Sequence, residues 1–256
     1  MHVELEHITV EKEGKLARVT LDRPERLNAM HYPGVRDLDA VSQLLADDRE
    51  VRLVTIQGAG RAYCTGIDLK ELSAGEIDHS YHAVFERSLR RFETMDKLVL
   101  CLVHGYALGG GLQLALACDI RACTPSAQIG LPAINESLIP GLATLRLARY
   151  VGMGRAKRMT ILGDNVDGEE AHRIGLVDHL VDEERPREAF EEWVERYMDA
   201  NSAGSRLSKQ AMVGAFDLDF EGFLERYLDL QAEAHDSPDF EEAMAAYRED
   251  REPEWQ

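Results

Sequence analysis

The sequence predicts an α/β core followed by a region built only of helices. Three observations predict it. Buried strands alternate with amphipathic helices up to about residue 185. Beyond that point only helical spacing remains. Two glycine-rich turns each join a buried strand to a helix start: "CTGIDL" after "LVTIQGAG", and "ALGGGLQ" after "LVLCLVHG". On this pattern residues 1–190 form the core and residues 191–256 a helical C-terminal region.

The elements follow in order. "HITVEKEGKLARVTLDR" alternates around Glu13-Gly14-Lys15 and reads as a β-hairpin. Pro33 opens a helix with Val35, Leu38, Val41 and Leu45 on one face. "VRLVTIQGAG" is a buried strand ending in glycines, and "RAYCTGIDLKEL" is the loop after it. Ser80 to Met95 is amphipathic, with Val84, Leu89, Phe92 and Met95 inward. "LVLCLV" is a strand, "HGYALGG" a turn, "GLQLALAC" a buried helix and "IRACT" a short strand. "AQIGLPAINESLIPG" starts as a strand and continues as a loop. "LATLRLARYVG" and "GRAKRMTILG" read as two helices. Four more helices close the chain, and Phe220, Phe223, Leu224, Tyr227 and Leu228 form a stripe in one of them. Such a stripe is core or subunit interface rather than a cofactor contact.

Composition removes several function classes. Hydrophobic residues make up 45% of the 256, as in ordinary globular proteins. The net charge of −18 argues against nucleic acid and against anionic membrane surfaces. Four cysteines without CxxC pairing or a His/Cys cluster argue against a disulfide framework and a metal site, and favour a reducing, cytoplasmic compartment. Leu98 to Cys118 carries no formal charge over 21 residues, long enough to span a bilayer. Gly109, Gly110 and Gly111 at its centre exclude a spanning helix, since each costs roughly 1 kcal/mol relative to alanine.

The two glycine turns present helix-start N–H groups that have no partner inside the helix. Aimed at one point they would form an oxyanion hole; otherwise the glycines serve tight strand–helix packing. Neither a phosphate loop nor a dinucleotide fingerprint fits, because no Lys-Ser or Lys-Thr follows and G-x-G-x-x-G is out of register.

Nearly the whole chain resembles the crotonase superfamily of enoyl-CoA hydratases and isomerases. The resemblance rests on "LDRPERLNAM", "GAGRAYCTGIDLKEL", "VHGYALGGGLQLALACDIRAC", "AQIGLPAINESLIPG" and "FEEAMAAYREDREPEW", in that order. It implies a spiral of ββα units with a helical C-terminal oligomerisation region, assembled as trimers or hexamers. It implies an acyl group on coenzyme A as substrate, with the CoA part of the substrate rather than a separate cofactor. The thioester oxygen would be held by the N–H groups of Ile67 and Gly110. Arg26 and Lys70 fall in segments that approach the CoA phosphates and adenine. Asp68 and His82 fall beside the acyl-CoA site. The tail departs from the pattern: Tyr247 and Arg251 match, but Asp250 and Glu252 are acidic where relatives carry lysines.

A hydratase of this family places two glutamates around one water. By motif position those are Gln113 and Ala133 here, so both carboxylates are missing. Hydration needs a base for the water and an acid for the α-carbon. An amide supplies neither, though it orients a water or a carbonyl. Glu136, three residues past the empty position, is the sequence's leading candidate for a relocated single base; its plain alternative is a surface or capping role. His104 reads as structural, and Tyr63, Tyr81 and Glu86 as further pocket candidates. Two functions stay open: an isomerase-like or hydrolase/lyase-like enzyme working with one base, and a non-catalytic acyl-CoA binding protein.

Overall fold

The structure, a computed structural model, describes residues 2–200 and 202–255. A seven-stranded sheet runs in the order β1-β2-β3-β4-β5-β7-β9. Strands β1 (His2–Glu4), β2 (Ile8–Glu13) and β3 (Leu16–Leu21) pair antiparallel. The β2–β3 turn holds Gly14 at φ +57°, a conformation glycine adopts without a Cβ penalty. From β3 onward the sheet is parallel, through β4 (Leu53–Gly58), β5 (Leu98–Val103), β7 (Ile120–Cys123) and β9 (His179–Leu180). Parallel strands need covering on both faces, hence the nearly uninterrupted burial of β4 and β5.

One face carries helices α1 (Tyr32–Asp47) and α3 (His79–Thr94), which bring Leu38, Leu45, Leu89 and Phe92 onto Val54 and Ile56. The other face is covered by α7 (Pro186–Asp199), whose Phe190 and Val194 join Leu53, Leu100, Leu102 and Ala122. Residue 190 therefore falls inside a helix that belongs to the sheet. The helices that stand beyond it are α8 (Ala203–Gly214), α9 (Phe220–His235) and α10 (Pro238–Glu249). Lys209 pins α8 to the core, donating from Nζ to Phe92 O (3.1 Å) and Lys97 O (2.6 Å) and pairing with Asp119 at 2.8 Å. In the α9 stripe, Phe220, Leu224, Tyr227 and Leu228 are exposed on the single chain.

Two details differ from the sequence reading, a second small sheet and the short elements after Leu162. "HGYALGG" is not wholly a turn: β6 (Tyr106–Leu108) pairs in parallel with β8 (Gln128–Gly130) as a second small sheet. Three-residue strands are too short to leave a period-2 signal. The two helices expected around Gly152 are present: α5 (Ala143–Leu162) is interrupted where Gly152 takes the non-helical φ 75° and ψ 157°. A short helix, α6 (Gly168–Arg173), and β9 follow unannounced. The uncharged stretch 98–118 folds into β5, β6 and α4 (Gly110–Leu116), and among the described residues no helix is long and apolar enough to cross a membrane.

Candidate active site

The site is assembled where three backbone segments meet at the C-terminal ends of the parallel strands. After β4 the chain turns back, and Asn28 holds the turn. Its Nδ2 donates to Ala59 O (3.0 Å) and Ala62 O (2.8 Å), and its Oδ1 accepts from Arg23 N at 2.9 Å. Residues 63–65 then run along β6 and the 27–30 segment. Tyr63 N donates to His104 O, Cys64 N to Tyr106 O, Leu108 N to Cys64 O and Thr65 N to Leu27 O. A parallel bridge joins Met30 to Ile67, with Met30 N donating to Gly66 O (2.6 Å) and Asp68 N to Met30 O (2.9 Å).

This pattern uses the N–H groups on either side of Ile67 and leaves Ile67 N–H without an acceptor among the described residues. Gly110 is the first residue of α4, so its N–H has no helical partner either. The two donors are neighbours. Gly66 stands at φ +85°, and a Cβ built on it would lie 2.6 Å from Leu108 O and 2.7 Å from Gly110 N. A Cβ on Gly111 would collide with Cys64 O. These two glycines are required by close backbone approach, and that approach makes the N–H pair. Gly109 N, bonded to Gly130 O at 2.9 Å, fixes the start of α4 through the small β6–β8 sheet.

The side chains sort as follows. Arg26 and Lys70 are exposed on adjacent segments, and neither forms an ion pair among the described residues. Asp68, placed beside the acyl-CoA site by its motif and read as more suited to bracing the turn, does brace it: it is buried, bonds Arg23 Nη1 at 2.7 Å, and caps α2 (Leu69–Ser73) through Lys70 N and Glu71 N. Burial alone would raise its carboxyl, but Arg23 and the cap hold it below the usual range. His82 is exposed, edge-on to Tyr81 at 5.3 Å. Tyr81 itself is buried and donates to Met30 O at 3.0 Å. Tyr63 is fully buried in the core, and His104 Nε2 meets Gly60 O at 3.1 Å. Ala133 lies in a 3₁₀ turn, Pro132–Glu136, where it offers no functional group. Glu136 ends that turn at the surface, and its side chain has no hydrogen bond or ion pair among the described residues. Nothing in its surroundings draws it into the site.

Gln113 is 7% exposed, and its Oε1 is buried without a partner. It lies three residues after Gly110 on the same helix face, and helical side chains lean toward the N-terminus. Its side chain therefore leans toward the start of α4, where Gly110 stands. The carboxylate found beside it belongs to Glu86 of α3. A Cβ on Gly141 would collide with both Gln113 Oε1 and Glu86 Oε1, and Gly141 has φ +47°. Glu86 accepts from Leu142 N at 2.6 Å and from Arg146 Nη1 at 2.8 Å. Phe85, the residue before it, would stand 3.4 Å from a Cβ on Gly110. Sequence reasoning named Glu86 only among several candidates, because residues 86, 113, 141 and 146 meet through tertiary packing alone. Among the described residues no His, Cys, Asp and Glu group is arranged to hold a metal ion.

A sequence model described as enoyl-CoA hydratase/isomerase matches residues 11–256. The chain belongs to that family. The crotonase resemblance of the motifs is thereby borne out over nearly the whole length. The enoyl-CoA hydratase/isomerase relatives include a short-chain-enoyl-CoA hydratase of Clostridium acetobutylicum, 33% identical over 253 residues that cover 97% of each chain. A crotonyl-CoA hydratase of Syntrophomonas wolfei is 32% identical, covering 96% of each. Among solved structures, an enoyl-CoA hydratase from Bacillus anthracis superposes with a TM-score of 0.90 at 28% identity, covering 98% of this chain and 99% of that one.

Proposed function

We propose that the protein binds an acyl-CoA thioester and stabilises its enolate at Ile67 N–H and Gly110 N–H. We propose further that it works with one base, as an isomerase or a hydrolase/lyase, rather than by two-glutamate hydration. The observation that supports this reading is the pair of adjacent N–H groups without acceptors, set beside Gln113 and Ala133 where the two hydratase carboxylates would stand. In double-bond migration the base takes an α-proton, and the electron pair spreads to the thioester oxygen, where the two donors meet it. The same base returns the proton at the γ-carbon, so no second acid is needed. Arg26 and Lys70, unpaired among the described residues beside the oxyanion turn, are suited to the CoA phosphates. Coenzyme A enters as part of the substrate. The exposed α9 stripe is suited to contact between copies, as a homotrimer or a hexamer of two trimers, and four buried free cysteines suit a reducing cytoplasm.

The test is incubation with saturated, 2-enoyl- and 3-enoyl-CoA in D2O, with mass spectrometry at the acyl carbons. Deuterium incorporation or conversion of 3-enoyl to 2-enoyl is the expected outcome. Efficient conversion of 2-enoyl-CoA to 3-hydroxyacyl-CoA would refute the one-base reading. A second reading, a non-catalytic acyl-CoA binder, is favoured by the same loss at 113 and 133. It predicts binding with neither exchange nor migration.

A further inference from the structure

We propose that Glu86 is the proton-transferring base of this site, held in position by Arg146 and the Leu142 N–H. The proposal rests on the enolate reading above, and goes beyond it in naming the group that receives the proton.

Four observations carry it. First, Glu86 is the carboxylate packed against Gln113: both side-chain oxygens crowd the same point on Gly141. Phe85, the residue before Glu86, stands 3.4 Å from a Cβ built on Gly110, so this end of α3 borders the oxyanion turn where the thioester would sit. Second, the carboxylate is fixed yet reachable. Its side chain is 17% exposed, whereas Arg146 is 3% exposed. Each oxygen accepts one hydrogen bond, from Leu142 N and from Arg146, and a carboxylate oxygen has capacity for a second. Third, the cation that holds it is shared. Arg146 donates from Nε to Glu93 Oε1 (3.1 Å) and from Nη2 to Glu93 Oε2 (3.3 Å), leaving Nη1 for Glu86. Burial alone would make Arg146 easier to deprotonate, but its hydrogen bonds to Glu93 and Glu86 raise it above its ordinary value. Arg146 thus bridges the two carboxylates and fixes the orientation of Glu86. Fourth, Gln113 Oε1 and Glu86 Oε1 are neighbouring acceptors, and the former has no donor. A proton transferred to Glu86 would supply the O–H donor that this amide oxygen lacks.

The other titratable groups near the turn are committed elsewhere or point away. Asp68 is tied to Arg23, Tyr81 to Met30 O, and Glu136 lies at the surface. The step balances simply. The α C–H bond breaks, an O–H bond forms on Glu86, and the electron pair passes into the enolate held by Ile67 and Gly110. Reprotonation from Glu86 at the α- or γ-carbon restores the free carboxylate.

The experiment compares wild type, Glu86→Gln, Glu86→Ala and Glu136→Gln, measuring acyl-CoA affinity by calorimetry and carbon-bound deuterium exchange on the same samples. A positioned base contributes about 10²- to 10⁴-fold, so Glu86→Gln is expected to lower exchange by that factor with affinity kept within a few-fold. Formate or acetate should restore part of the exchange in Glu86→Ala, which a merely structural role would not allow. Glu136→Gln should exchange as wild type does. If Glu86→Gln exchanges normally, Glu86 is not the base while the enolate reading stands. If wild type binds acyl-CoA but exchanges nothing, the enolate reading itself falls, and the base assignment with it. Should Glu86→Gln fail to fold, Glu86→Asp with formate supplies the same comparison: near-normal exchange insensitive to formate would overturn the proposal.

Discussion

Gly66→Ala isolates the oxyanion turn from every side chain. Gly66 sits at φ +85°, where a residue with a Cβ pays roughly 1–2 kcal/mol of backbone strain. The added Cβ would also stand 2.6 Å from Leu108 O and 2.7 Å from Gly110 N, both backbone atoms that flexible side-chain motion cannot relieve. The strand-to-helix turns must separate, and the Ile67 and Gly110 N–H groups lose their common focus. Loss of one oxyanion donor costs about 2.7–4 kcal/mol of transition-state stabilisation, or 10²- to 10³-fold in rate. Gly75→Ala is the control: Gly75 has nearly the same φ, +74°, but its Cβ would meet nothing within 4 Å. It shares the strain without the collision. The assay is the exchange rate with acyl-CoA in D2O, paired with the carbonyl stretch of bound 1-¹³C-acyl-CoA, which responds to polarisation even without turnover. Gly66→Ala is expected to slow exchange by 10²-fold or more and to shift the bound carbonyl back toward its value in water. Gly75→Ala should change neither. A folded Gly66→Ala protein with wild-type exchange and an unchanged carbonyl stretch would refute the assignment of the oxyanion hole to these two turns.

Three further outcomes follow from the packing. Lys209→Met leaves Asp119 and two backbone carbonyls buried without their cation, so the variant should lose about 3–5 kcal/mol in denaturant unfolding, with Lys209→Met/Asp119→Leu recovering part of it. His31 is buried, and desolvation first, then the charge of Arg23, push its imidazole down to about 4. The unfolded chain therefore takes up a proton below pH 6.5 that the folded chain refuses until about pH 4. Unfolding free energy should fall by up to about 1.4 kcal/mol per pH unit across that window, and His31→Asn should flatten that slope in denaturant titrations at pH 7 and pH 5. Phe220→Lys with Leu228→Lys should reduce the sedimentation coefficient toward that of a single chain; an unchanged value would remove the α9 stripe from any subunit contact.

Much of the fold was legible in the residues. The hairpin around Gly14, the helix opened by Pro33 and the buried strands at 53–58 and 98–103 all carry local periodicity or turn chemistry. The two glycine turns were legible for the same reason, since glycines flanking a buried strand mark a backbone approach. The positions of Gln113 and Ala133 were legible because a motif fixes their place in the chain. What the residues could not disclose is non-local. The β6–β8 ladder pairs two three-residue strands that are distant in the chain and leaves no period to read. Asp68 looks like a site residue until its bond to Arg23 is seen, because an ion pair across 45 positions has no sequence signature. Glu136 is near Ala133 in the chain, whereas Glu86 is near Gln113 in space. Only the tertiary structure brings Glu86 of α3 and Gln113 of α4 together over Gly141. Sequence spacing reports where a backbone turns; side chains from separate elements meet according to how those elements pack, and that is a property of the tertiary structure.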